Sequence, residues 1–198
     1  FKAGKFEQKN LDKLKASTLI YVVRQSEVDR IDELQELYSE AWTYCPIEVI
    51  APDEFPDYVS KSGYSYLTFA GFSKTSSSGA NNSYYYLNLW MPDTESKKED
   101  ATLSFARIEL FPSFYTYSKI LGSSNSNAIE FSYSKEADFR NWYPGLMVCY
   151  LKSINTMINE GDTRWLYNNT SNVRKLSALK KNALYVPNYT LIKMNKFA

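Results

Sequence analysis

The chain has 198 residues, 44% of them hydrophobic and 23% charged, which is enough apolar material for a sizeable core and too much for a disordered or fibrous chain. Its 23 Lys and Arg against 22 Asp and Glu leave a net charge of +1, so no global field draws it to a phosphate backbone, and nucleic acid is not an expected partner. It contains no histidine, which excludes Ser-His-Asp and Cys-His triads and His-containing zinc sites within this polypeptide.

Residues 1–16 carry Lys2, Lys5, Lys9, Lys13 and Lys15 against Glu7 and Asp12, which predicts an exposed charged arm or short helix ahead of a single α/β domain over 17–198. The first residue is Phe1 rather than methionine and no signal-like segment follows, so the chain reads as a mature form or an excised fragment. Residues 18–24 form a continuous β-branched and aromatic run, the pattern of a central strand covered on both faces. Ser26 is placed as an N-cap, with Glu27 and Asp29 opposing the positive end of a helix over 27–44. Val28, Ile31, Leu34, Tyr38, Ala41 and Trp42 fall on one stripe of that helix. The second strand, Ile47–Ile50, completes a β-α-β unit that should be parallel with a right-handed crossover, and Pro52 and Pro56 close it around Asp53 and Glu54.

Three strand-like runs follow at 64–72, 83–91 and 102–111, joined by Ser-, Asn- and charge-rich connectors at 74–82 and 92–100 that read as long hairpin loops. The expected product is an antiparallel meander. Residues 121–127 read as a turn, and 128–133 as a short strand because Ile129, Phe131 and Tyr133 alternate with Ala128, Glu130 and Ser132. Pro144 suits the first turn of a second helix whose Met147, Tyr150, Leu151, Ile154, Met157 and Ile158 share a face and which Gly161 stops. Strand segments close the chain over 183–194, interrupted at Pro187.

The fold expected from this order is α/β of the mixed α+β kind. A β-α-β unit is extended by the meander into one mixed sheet, and the two main helices pack on it. Leu11, Leu14, Lys15 and Leu19 recur in type as Leu176, Leu179, Lys180 and Leu184, which leaves open that the chain is one module of a longer protein. No apolar run approaches the roughly 20 residues of a membrane span. Cys45 and Cys149 lack metal or redox spacing and are expected as small buried side chains, a single bridge between them being the alternative.

The chain carries no dinucleotide, P-loop, nucleophile-elbow, zincin or EF-hand pattern, and only 7 glycines with which to cradle a phosphate. Arg24 and Ser26 occupy the turn after the first strand, where an open α/β sheet presents a helix N-terminus to ligands. Glu27 and Asp29 would repel a phosphate there, so capping is the stronger reading. Asp53 and Glu54 follow the second strand at the same sheet edge. Aromatics are the compositional excess, with 17 Tyr, 11 Phe and 4 Trp. Alternation puts Tyr84, Tyr86, Asn88 and Trp90 on one face of the middle meander strand and Tyr85, Leu87, Leu89 and Met91 on the other. Uncovered, the first face would stack on sugar rings or dock a protein; covered by a helix, its tyrosines are wall residues.

These features point to a non-catalytic binding or assembly module of a cell-envelope or secreted protein, with a protein or glycan partner and neither cofactor nor metal. The rival reading is a histidine-free, carboxylate-based hydrolase of the glycosidase type using Asp53, Glu54 or Glu109. A third is a small-ligand domain using the crevice beyond the first two strands, beside Arg24 and Ser26.

Overall fold

The computed structural model describes residues 7–161 apart from 60, 76, 78, 80, 99 and 122, and the backbone alone at 2–3, 72–75 and 81–82. The expected strands over 183–194 and the second leucine-lysine segment at Leu176 to Leu184 lie outside the described residues.

Six strands, β1 (Lys2–Ala3), β2 (Thr18–Val22), β3 (Ile47–Ile50), β4 (Tyr64–Thr75), β5 (Asn81–Pro92) and β6 (Thr102–Glu109), form one mixed sheet in the order β1-β6-β5-β4-β2-β3. β2 pairs in parallel with β3 on one side and β4 on the other, while β4, β5 and β6 form the antiparallel meander. Leu19, Ile20, Tyr21 and Val22 are all buried, which is why β2 reads as an unbroken apolar run. The helices are α1 (Gln8–Lys15), α2 (Ile31–Ala41), α3 (Pro56–Val59), α4 (Phe114–Leu121), α5 (Asn125–Tyr133) and α6 (Pro144–Glu160). α2 and α6 pack together on one face of the sheet, where Leu34 and Tyr38 of α2 and Met147, Leu151, Ile154 and Ile158 of α6 are buried. Gly161 ends α6 in the left-handed region at φ 64°, a conformation that glycine adopts without a Cβ penalty.

Several expectations are corrected. The helix after β2 opens as a 3₁₀ turn, Val28–Arg30, and is α-helical only from Ile31 to Ala41. Ser26 is exposed and provides no cap; Glu27 instead folds back, its carboxylate accepting from the Arg24 N–H at 3.3 Å. Residues 128–133 belong to helix α5, not to a strand. Alternating Ile129, Phe131 and Tyr133 put one exposed, one half-buried and one buried ring or branch around its circumference. The first hairpin loop is shorter than expected, because Ser73, Lys74 and Thr75 pair with Ser83, Asn82 and Asn81 through backbone bonds that need no apolar side chains. Both cysteines are free. Cys45 is buried under the indole of Trp42, whereas Cys149 sits on the exposed side of α6.

The lysine-rich segment ahead of β2 is a docked helix for part of its length. Leu11 and Leu14 bury one side of α1, and Lys9 and Lys13 on the other side both pair with Glu95 in the β5–β6 connector, Lys13 at 2.8 Å. At the opposite edge of the sheet, the Gln35 carboxamide of α2 donates to Ile47 O at 2.9 Å and accepts from Val49 N–H at 2.8 Å. One side chain thus satisfies consecutive outward-facing backbone groups of edge strand β3.

Candidate functional site

The outward row on β5 has three different environments along its length. Trp90 is half-buried, its ring 4.8 Å from that of Tyr66 and its indole N–H donating to Thr68 Oγ1 at 2.9 Å. The 3₁₀ turn Pro52–Glu54 and α3 cover this end, with Phe55 set edge-on against Tyr66 at 5.6 Å and Tyr66 O–H donating to Tyr58 O. There Tyr58 donates to the Glu48 carboxylate at 2.6 Å, a bond that pushes its phenol up to about 12. In the middle of the row, Asn88 Oδ1 accepts from Ser104 Oγ at 2.6 Å and the Arg107 guanidinium lies 4.7 Å over the Tyr86 ring. Tyr84, at the far end, is 43% exposed. Trp90 is therefore a wall residue, and Tyr84 is the member of the row that meets solvent most fully.

Tyr84 lines a cleft of about 620 Å³ together with Glu109, Phe111, Phe114, Tyr117 and Arg140. Its geometry is fixed by a short brace. Asn141 donates to Glu109 O at 2.7 Å and accepts from the Phe111 N–H at 2.8 Å, while Arg140 N–H donates to Phe111 O and Ser113 N–H to Asp138 O, each at 2.9 Å. A bridge pairs Pro112 with Phe139. Ser113 then opens α4, its hydroxyl accepting from the Thr116 N–H at 3.3 Å, so that Phe114 stands in the first turn. Held in this way, Phe114 is 84% exposed and Phe111 48% exposed. The cleft floor is Tyr85, whose phenol burial shifts upward and keeps protonated.

A second opening of about 670 Å³ lies at the carboxyl ends of the parallel strands. Val22 and Gln25 come from β2 and the turn after it, Asp53 and Phe55 from the turn after β3, and Ile129, Glu130 and Tyr133 from α5. α5 is locked against the sheet by Tyr133. Its carbonyl accepts from the Gln25 N–H at 2.7 Å, and its hydroxyl accepts from the Phe69 N–H at 2.8 Å, taking the place of β2 where that strand has ended. Burial pushes the Tyr133 phenol well up, so a neutral oxygen makes this bond.

Of the four polar residues singled out at this edge, Asp53 lines the crevice. Arg24 turns away from it: the guanidinium pairs with buried Glu27 at 3.6 Å, reaches Ala137 O at 3.5 Å and lies 5.7 Å over the Trp142 ring. Glu54 accepts from the Ala51 N–H at 2.8 Å, and Ser26 is exposed outside the lining. Phe111, Phe114, Glu130 and Tyr133 were not singled out. The signal for Phe114 was Ser113 as a cap residue ahead of an aromatic run; for α5 it was Ser124 followed by nine residues without glycine or proline.

Among the described residues no group of three or more Cys, Asp or Glu could hold a metal ion, and no helix is long and apolar enough to cross a membrane. Compared with protein-family models, curated proteins and solved structures, the chain matches none.

Proposed function

We propose that this chain is a non-catalytic binding module that holds a glycan in the cleft of Tyr84, Phe111 and Phe114. The observation that carries the reading is the exposure of Phe114, 84%, in a first helical turn whose backbone is held by the 138–141 brace. An exposed ring on a braced backbone offers the face of a sugar a flat apolar partner, and Glu109, Arg140 and Ser83 line the same cleft with polar groups. A cleft of about 620 Å³ accommodates a short saccharide rather than a long groove-bound chain.

Screening the chain on a glycan array, then measuring affinity for the best ligand, tests the reading. If a sugar ring covers about 60 Å² of Phe114, at roughly 25 cal/mol per Å² the loss in Phe114→Ala is about 1.5 kcal/mol, or roughly tenfold in Kd. Unchanged affinity in a Phe114→Ala variant of native circular dichroism, or no glycan retained, refutes it. The hydrolase reading has one observation in its favour, that Asp53 and Glu130 border the same crevice. Both are exposed, without the apolar enclosure a general acid requires.

A further inference from the structure

We infer that the crevice at the carboxyl ends of β2 and β3 is a second binding site, independent of the aromatic cleft, for a small organic cation: a protonated amine carried on an apolar body. Three observations converge on this class of ligand. First, the position is the one at which an open sheet with parallel strands presents its loops to ligands. Secondly, the walls are apolar and aromatic: Val22 from β2, Phe55 from the turn after β3, and Ile129 and Tyr133 from α5, with a volume of about 670 Å³ that suits a molecule of drug-like size. Ile129 is 45% exposed at the mouth, an apolar surface that a bound body would cover.

The third observation is the sign of the charge. The lining contains two carboxylates, Asp53 and Glu130, and neither lysine nor arginine. Among the described residues neither carboxylate makes an ion pair or a side-chain hydrogen bond; Arg24, in the turn after β2, is tied to Glu27 and Ala137 instead. Phosphate and carboxylate ligands would meet repulsion with no compensating cation in the lining, and a neutral ligand would gain nothing from the charge of the two exposed carboxylates. An ammonium group is attracted by the two carboxylates, and Phe55 and Tyr133 supply aromatic lining beside them.

Three probes that share one body and differ in charge test the proposal on the full chain by NMR titration: tyramine (cation), 4-ethylphenol (neutral) and 4-hydroxyphenylacetate (anion). Tyramine should bind about tenfold more tightly than 4-ethylphenol at low salt, as expected for partly solvated charge pairs, and the anion most weakly of the three. The amide signals of Gln25 and Ile129 should move. In an Asp53→Asn, Glu130→Gln double variant with an unchanged circular dichroism spectrum, tyramine should fall to the affinity of 4-ethylphenol while 4-ethylphenol itself is unaffected. Equal affinities for the three probes, no binding at millimolar concentration, or a cation preference that survives the double variant overturns the proposal. A failed Phe114 test leaves these outcomes untouched.

Discussion

Replacing Tyr133 with phenylalanine removes one oxygen atom and keeps the ring, with its edge-on contact to Trp142 at 5.3 Å. That oxygen is the acceptor for the Phe69 N–H at 2.8 Å, in a place where β2 no longer runs alongside β4. Water cannot take over easily, because Tyr133 is 8% and Phe69 6% exposed. An amide left buried without an acceptor costs about 1–3 kcal/mol. Among the described residues the Tyr133 hydroxyl makes no other hydrogen bond that would be lost with it, so the loss should fall near the middle, about 2 kcal/mol. With a urea m-value of about 2 kcal/mol/M, the unfolding midpoint followed by far-UV circular dichroism should drop by roughly 1 M at unchanged slope. Hydrogen exchange gives the residue-level check: the Phe69 amide should lose protection before its neighbours in β4. A Tyr133→Phe variant with an unmoved midpoint and a protected Phe69 amide would refute the idea that this phenol stands in for a strand.

Two further outcomes follow from charges at the two ends of β2 and its preceding helix. Glu27→Gln leaves the Arg24 guanidinium largely buried against Trp142 without its counter-charge, and should destabilise by about 2–4 kcal/mol in the same urea assay, whereas Arg24→Met combined with Glu27→Leu should cost less than Glu27→Gln alone. Lys13 and Lys9 hold the Glu95 carboxyl down at about 2, so the stabilisation from this exposed cluster is complete above the unfolded value of 4.5 and is lost as pH falls from there through about 2. Glu95→Gln should flatten the acid limb of a stability-against-pH profile over that window, and added salt should reproduce part of the effect in the parent chain.

The parts of the fold that were legible are those in which one physical signal acts alone. β2 is buried on both faces and its sequence is uniformly apolar; α6 is flanked by Pro144 and Gly161 and carries a single stripe. On β5, alternation separated buried Tyr85, Leu87 and Leu89 from the more exposed Tyr84, Tyr86 and Asn88 as expected. α5 was illegible because Ile129, Phe131 and Tyr133 satisfy a two-residue period as well as a helical one, and only contacts with β4 and the β2 turn decide between them. That ambiguity hid half of the crevice, since Asp53 is readable from the turn after β3 but Glu130 needs α5 to be a helix. Arg24 shows a different limit. Its place in the chain is that of a ligand-facing turn residue, yet Glu27, three residues on, and Trp142, far away in sequence, turn its side chain inward.

The Gln35 carboxamide on β3 restricts how the chain can join other proteins. An edge strand with open N–H and C=O groups is a template for strand addition, the route by which many partners, and many aggregates, attach to a sheet. Because one side chain of α2 already occupies Ile47 O and Val49 N, a recruited strand at β3 would first have to displace a two-point hydrogen bond from a packed helix. Association at this margin of the sheet is thereby steered away from backbone augmentation and toward recognition by side chains, and Gln35→Ala would be the change that opens the edge.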